Sequence, residues 1–438
     1  MSDSLEEKFR TCSDQLPVAG DEFTRSNSQL ATRQVMYDAL VLDAKLRQSL
    51  ITVRSLGSRG LHVAALGGSA ELPTFSSRWC RQAFVCTVDE GAEAYMLHLE
   101  HLLDRIGVRV LIASSDATIA LIRQHRERLE QRVHIALAKE SALSIAVNKE
   151  RTLEIAKQLG LRIPRAVTVR TVSEVGAALC EIGLPAVVKP VESWSSSGQQ
   201  GARIVSQLVT TPDEARRAVE ELTRFGGTTL FQEFLSGRRE SLSFFYANGE
   251  IYARFAFFGK RTNPPLGGVY VVRQAIPLPA DTGAQAERLV REIELEGYCQ
   301  VEFRRDSAGN PYLMEINPRL NLGIEVAVRA GVDFPHLLYQ WANGEQIDRV
   351  KSYRVGGRMR YLSGDIAATI LAVRQRGRPG VTPPAQAILD FCVSFFIPSG
   401  YDYVDWKDPL PAWTATKDFF AYYLPRLVGK VLSRRKSQ

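Results

Sequence analysis

Glu302, Glu315, Asn317 and Arg319 lie within residues 301–320, VEFRRDSAGNPYLMEINPRL, and their types and spacing suit metal and phosphate chemistry. The stretch reads as two strands joined by a turn over Asp306 to Pro311. Side chains alternate along a strand, so Glu315, Asn317 and Arg319 share a face, and Glu302 sits on the partner strand. Two carboxylates and an amide oxygen form a hard oxygen set suited to Mg²⁺, which takes the rest of its shell from water and substrate phosphates. Arg319 adds a fork of donors for a phosphoryl or carboxylate oxygen. A wet surface hairpin would explain any one of these residues. It explains the group less well, because Met314 to Asn317 sets polar residues inside an apolar strand.

Other segments carry compatible chemistry. Lys189 ends the apolar run from Leu184 and precedes the small-residue loop Ser195, Ser196, Ser197, Gly198, which can set a point charge and backbone amides around phosphate oxygens. Gln232, Glu233, Phe234 and Leu235 form a strand end whose backbone can pair with an adenine edge while Phe and Leu flank the ring; a plain sheet edge is the alternative. Lys260 and Arg261, followed by the turn with Gly267 and Gly268, form a candidate loop for an anionic carboxylate substrate. Arg358 and Arg360 are a second pair of that kind. Asp405 to Pro409 reads only as a packed turn.

The elements that must position these residues fall into several units. Residues 1–35 are polar and irregular, a loosely ordered leader. Over 36–147, strands near Ala39, Leu61, Ala83 and Val108 alternate with helices over Arg47–Leu56 and Ala94–Ile106, which predicts a parallel α/β sheet. Residues 148–350 turn to mixed α+β, with a lobe at about 186–230. Asn148 is placed to cap a helix there, and Thr171–Glu174 and Thr211–Glu214 read as capping boxes. Residues 351–438 form a C-terminal extension rich in aromatics and proline.

The chain has 438 residues, too many for one core, with 45% hydrophobic and 24% charged residues, as in ordinary globular proteins. The acidic N-terminus lacks a secretory core, no apolar run is long enough to cross a bilayer, and six scattered cysteines show no CxxC spacing. Reduced thiols and a cytoplasmic location are expected. The net charge is +7, but Arg426, Lys430, Arg434, Arg435 and Lys436 supply five of those charges, leaving +2 elsewhere. No nucleic-acid partner is expected from that balance; the basic tail offers at most weak contact with an anionic membrane surface.

Taken in order, Asn148-Lys149, Val188-Lys189-Pro190, Gln232 to Leu235, Glu302 and Glu315 to Arg319 resemble the ATP-grasp superfamily, which includes D-alanine–D-alanine ligase, biotin carboxylase and carbamoyl-phosphate synthetase. The resemblance covers residues 148 to about 345. It implies a Rossmann-like α/β domain preceding a two-lobed ATP-grasp fold, then the short extension. It implies that Lys149 and Lys189 contact ATP phosphates and that Ser195 to Gly198 close over them as a lid. Gln232 to Leu235 would hold adenine, with Glu233 or Glu240 near the ribose. Glu302, Glu315 and Asn317 would hold one or two Mg²⁺ ions, with Mn²⁺ as an alternative, and Arg319 would steady the transferring phosphoryl group. The layout looks most like stand-alone amino-acid ligases, which join a small-molecule carboxylate and an amine, commonly as homodimers. The alternatives are a carboxylase-like or phosphotransfer relative and a non-catalytic nucleotide-binding module. The serine-rich lid departs from the glycine-rich lids of many relatives.

Overall fold

The computed structural model describes residues 9–11, 36–86, 91–192, 194–195, 202–203, 206–224, 227–265 and 267–421, with backbone alone at 9–11, 194–195 and 202–203. The chain divides into two compact units. One comprises residues up to Ala113, Gln124–Ile135 and the segment from Tyr403; the other comprises Ser114–Arg123 and Ala136–Asp402.

The first unit is built on a parallel sheet. Its elements in chain order are β1 (Phe9–Thr11), β2 (Tyr37–Val41), α1 (Arg47–Gly57), β3 (Val63–Gly67), β4 (Cys80–Val85), α2 (Ala92–Ile106) and β5 (Val108–Ile112). The short helix α3 (Asp116–Gln124) falls in the second unit up to Arg123, and the first unit resumes with α4 (Arg126–Glu130) and β6 (His134–Ile135). The strand order is β1-β4-β3-β2-β5-β6 with every pairing parallel. Ala39 to Leu42, Val63 to Leu66 and Val110 to Ile112 are buried, as expected of central strands covered on both faces. The polar leader contributes an edge strand, Phe9–Thr11, rather than irregular chain alone; the rest of residues 1–35 lies outside the described residues.

The second unit opens with α5 (Glu140–Ala146) and α6 (Lys149–Gln158), whose N-cap Asn148 accepts from the Arg151 amide as its sequence position predicts. Next come β7 (Ala166–Val169), α7 (Val175–Ile182), β8 (Ala186–Pro190), the ribbon β9 (Trp194–Ser195) and β10 (Ala202–Arg203), β11 (Gln207–Val209), α8 (Pro212–Thr223) and β12 (Thr229–Glu233). Only the Thr211 capping box forms through its hydroxyl, which accepts from the Glu214 amide at 3.2 Å. At Thr171 the hydroxyl makes no cap, and a 3₁₀ turn over Val172–Glu174 delays the α-helix. Strands β11-β8-β12-β7 form an antiparallel sheet. Phe231, Val188 and Ala186 on one face pack against Val175 and Ala178 of α7 and Ala215 and Val219 of α8.

A seven-stranded sheet follows, in the order β17-β16-β13-β14-β15-β18-β19. It comprises β13 (Arg239–Ala247), β14 (Glu250–Asn263), β15 (Val269–Ile276), α9 (Ala280–Glu292), β16 (Gly297–Arg305), β17 (Pro311–Asn317), α10 (Ile324–Ala330), α11 (Phe334–Ala342), β18 (Arg358–Arg360), α12 (Leu362–Arg374), α13 (Pro384–Val393) and β19 (Gly400–Tyr401). The expected boundary at 350 is therefore corrected: β18 and β19 extend this sheet, and the division falls after Asp402. From Tyr403 the chain joins the first unit, where buried Asp408 accepts from Arg54 Nε at 2.9 Å, Ser77 at 2.7 Å and the Arg78 amide at 2.8 Å. That is the physical content of the Asp405–Pro409 turn.

Candidate active site

The β16/β17 register sets Glu302 directly opposite Glu315 and Gln300 opposite Asn317. Two carboxylates so placed repel unless cations stand between them. Arg239, at the start of β13, supplies one: its Nη2 donates to Glu302 Oε2 at 2.7 Å, while Gln300 Nε2 donates to Oε1 at 2.8 Å. Lys149 and Lys189, both buried, are the others. Burial alone would raise the Glu315 carboxyl, but Lys149, Lys189 and Arg239 outweigh it and hold it below the usual carboxylate range. Burial in turn pushes the Lys189 ammonium down to about 8, with Glu315 opposing and Lys149 adding to the shift.

Arg319 joins the same cluster. Its guanidinium donates to Asn317 Oδ1 at 3.3 Å and holds Asp116 of α3 in a two-pronged pair. Lys149, Glu315 and Asn317 line a small cleft together with Asp116, Arg123 and Glu192. Nothing in the local pattern singles out Asp116, because its partner lies 203 residues along the chain.

Across β8 and β12, Lys189 pairs with Leu230 and Val187 with Gln232, so Lys189 and Gln232 share one face of the smaller sheet. The helices α7 and α8 cover the other face. Gln232 is buried, yet neither its amide oxygen nor its nitrogen has a hydrogen-bond partner. A buried amide left unpaired costs about 1–3 kcal/mol, which a ligand with donors and acceptors would relieve.

Several expected positions are placed differently. The Gln232 backbone is committed on both sides to β7 and β8, and Phe234 and Leu235 lie just past the strand end. Glu233 is held by the Arg165 amide at 2.8 Å and by its guanidinium. Glu240 is a correction: it alternates with Arg239 and Ser241 and so faces away from Glu302. It is fully buried, with Arg305 donating to both oxygens at 2.8 and 2.9 Å and Arg238 to one, so it is not available to a ribose. Ser195 lies in the β9/β10 ribbon, while Ser196, Ser197 and Gly198 lie outside the described residues.

In the expected substrate loop, one of the two cations is already paired. Arg261 is spent on buried Asp365, at 2.7 and 2.6 Å, and Arg360 holds the same carboxylate at 2.7 Å. Gly268 accepts from Arg239 through its carbonyl, and Gly267 sits in the turn from Pro264. Gly259 has a packing reason: a Cβ there would lie 2.0 Å from the Tyr270 ring, over which Arg239 stacks at 4.6 Å. Lys260 and Arg358 remain without a carboxylate partner.

Among the described residues no three of His, Cys, Asp and Glu converge as a metal cage. Two carboxylates and an amide beside two lysines and two arginines instead fit an Mg²⁺ that arrives with phosphates. No disulfide joins any of the described cysteines, and no helix among the described residues is long and apolar enough to cross a membrane.

Comparison with known proteins agrees with this arrangement. Residues 231–364 match a family model described as "ATP-grasp in the biosynthetic pathway with Ter operon". A D-alanine–D-alanine ligase from Trichlorobacter lovleyi is 27% identical over 215 residues, which cover 46% of this chain and 66% of that enzyme. The chain thus spans just under two thirds of that relative. An L-amino acid ligase from Bacillus licheniformis superposes with a TM-score of 0.55 at 19% identity, covering 71% of this chain and 75% of that one. The biotin carboxylase domain dimer of Hydrogenobacter thermophilus 2-oxoglutarate carboxylase, solved with MgADP, ADP and bicarbonate, gives 0.57 at 16% identity over 74% and 73%. In motif order, in the family match over residues 231–364 and in fold, this chain is similar to ATP-grasp enzymes.

Proposed function

We propose that the protein is an ATP-dependent carboxylate–amine ligase. The observation that supports it best is the Glu302–Glu315 pair set among Lys149, Lys189, Arg239 and Arg319. Phosphoryl transfer asks a protein for positioning and charge neutralisation more than for covalent help. Lys149 and Lys189 would hold the nucleotide phosphates, and Phe234, Leu235 and the Gln232 amide would receive the base. Glu302, Glu315 and Asn317 would hold Mg²⁺, which would supply neutralisation of the phosphate charge. A carboxylate oxygen of the substrate then attacks the γ-phosphorus, ADP departs, and Arg319 steadies the transferred group. An amine next attacks the acyl carbon of the resulting acyl phosphate and expels phosphate, leaving an amide bond.

The test is Mg²⁺-dependent ADP release with paired carboxylates and amino acids, using Glu315→Gln as control. Turnover that needs both partners and vanishes in the control is expected; AMP and pyrophosphate as products would refute it. Bicarbonate-dependent turnover without an amine would favour the carboxylase-like alternative. Homodimer formation is proposed by likeness to relatives and is read from the mass in solution.

A further inference from the structure

A second cavity, of about 600 Å³, lies between the ends of β13 and β14 and the helices α12 and α13. Its size is that of a metabolite pocket. Arg238, Arg239, Lys260, Arg261, Arg304 and Arg358 line it, against one acid, Asp390. Arg261 is neutralised by Asp365, Arg238 donates to Glu240, and Arg239 donates to Glu302. Among the described residues Lys260 and Arg358 have no carboxylate within ion-pair distance, although Arg358 is only 9% exposed. Arg358 donates to the Ser394 hydroxyl at 3.2 Å, and its Nε is buried with no partner at all. Burial, and then their mutual repulsion and that of Arg261, lower the proton affinity of Lys260, and burial and neighbouring arginines do the same to Arg358. Leaving the buried Arg358 Nε unpaired is expensive, so the cavity is built for charge that arrives from outside.

We propose that this cavity seats a phosphate group carried by the carboxylate substrate, held between Lys260 and Arg358. The inference rests on the ligase assignment and narrows it to phosphorylated carboxylates. Arg239 ties the two places together, since it lines the cavity and also donates to Glu302, so the anionic tail and the reacting carboxylate can be held in one ligand. The extension beyond residue 350 thereby acquires a role: Arg358 and Ser394 make one wall of the pocket.

The experiment is calorimetric titration of the full chain with inorganic phosphate, and with 3-phosphoglycerate against glycerate, a pair that differs only in the phosphate. Saturable phosphate binding is expected, with the phosphorylated acid preferred at least ~10-fold. Lys260→Gln and Arg358→Gln should each abolish the preference while Glu315→Gln keeps it. Lys260 is exposed, so Lys260→Gln tests the site even where Arg358→Gln fails to fold. Saturating MgADP should leave the phosphate affinity unchanged. Displacement by MgADP would assign the cavity to the nucleotide and overturn the proposal, as would equal binding by the variants or no binding by the wild type. Lys260-dependent binding in a protein that releases no ADP with any substrate pair would sink the substrate assignment while leaving an anion site.

Discussion

Arg319 and Asp116 lie 203 residues apart and meet through two guanidinium nitrogens, Nη2 donating to Oδ2 at 2.9 Å and Nε to Oδ1. The pair fixes a planar fork beside Asn317 and Glu315. Arg319 stays charged although it is largely buried, because Asp116 and Glu315 offset the desolvation. Arg319→Lys keeps a charge and loses the fork. It should lower turnover about 10²-fold with little change in nucleotide affinity. Asp116→Asn should lower turnover less, because it frees the fork without removing it. A Kd for ADP that rises as steeply as turnover falls would reassign Arg319 to nucleotide binding.

The unpaired amide of Gln232 makes an opposite pair of effects from one substitution. Gln232→Met removes two unsatisfied buried atoms at similar volume and should raise the melting temperature of the nucleotide-free protein, by up to ~1–3 kcal/mol of stability. It should also shrink the stabilisation that added MgADP produces. Thermal melts with and without MgADP measure both; an unchanged nucleotide effect would mean that the amide does not meet the base.

Lys189 links binding to pH. Its pKa falls from an ordinary value near 10.5 to about 8 in the fold, chiefly by burial. The unfolded chain therefore holds this proton more tightly than the folded protein. Between about pH 8 and pH 10.5 the unfolded state is protonated and the native state is not, so this residue's cost to stability, full below pH 8, is relieved as pH rises. Nucleotide phosphates favour the charged form, so ADP should bind with proton uptake above pH 8. Calorimetry at pH 8.5 in two buffers of different ionisation enthalpy should show that uptake in the wild type and none in Lys189→Met.

Asp365 is fully buried between Arg261 and Arg360, and Arg360 also stacks on Phe391 and Phe395 at 4.6 and 4.1 Å. Asp365→Asn strands a buried guanidinium and should cost ~3–5 kcal/mol in urea unfolding. Adding Arg360→Met should recover part of that loss, since the uncompensated charge goes with it. A double variant no more stable than the single would place the penalty in packing instead.

Asp408 plays the corresponding part in the other unit, accepting from Arg54, Ser77 and the Arg78 amide. Asp408→Asn should destabilise that unit by a similar ~3–5 kcal/mol and expose the segment after Tyr403 to protease, with ADP affinity unaffected. Loss of nucleotide binding at temperatures where the fold persists would show a wider role for the segment.

Short-range pattern determined a large part of this protein. The alternating strands and helices before residue 113, the Asn148 and Thr211 caps, and the Glu302 and Glu315 strands follow from periodicity and local hydrogen bonding, which act within a few residues. The order of motifs carried the resemblance to the ATP-grasp superfamily. Tertiary structure decided which charges are available. Glu240 and Glu302 look alike in sequence, yet strand parity turns one toward Arg305 and the other toward Arg239. Arg261 and Lys260 are neighbours, and Asp365 from α12 satisfies the first, while among the described residues no carboxylate reaches the second. Ion pairs are set by distance in space. Asp116 with Arg319, Arg54 with Asp408 and Arg261 with Asp365 join residues more than a hundred positions apart, a relationship that no local pattern encodes.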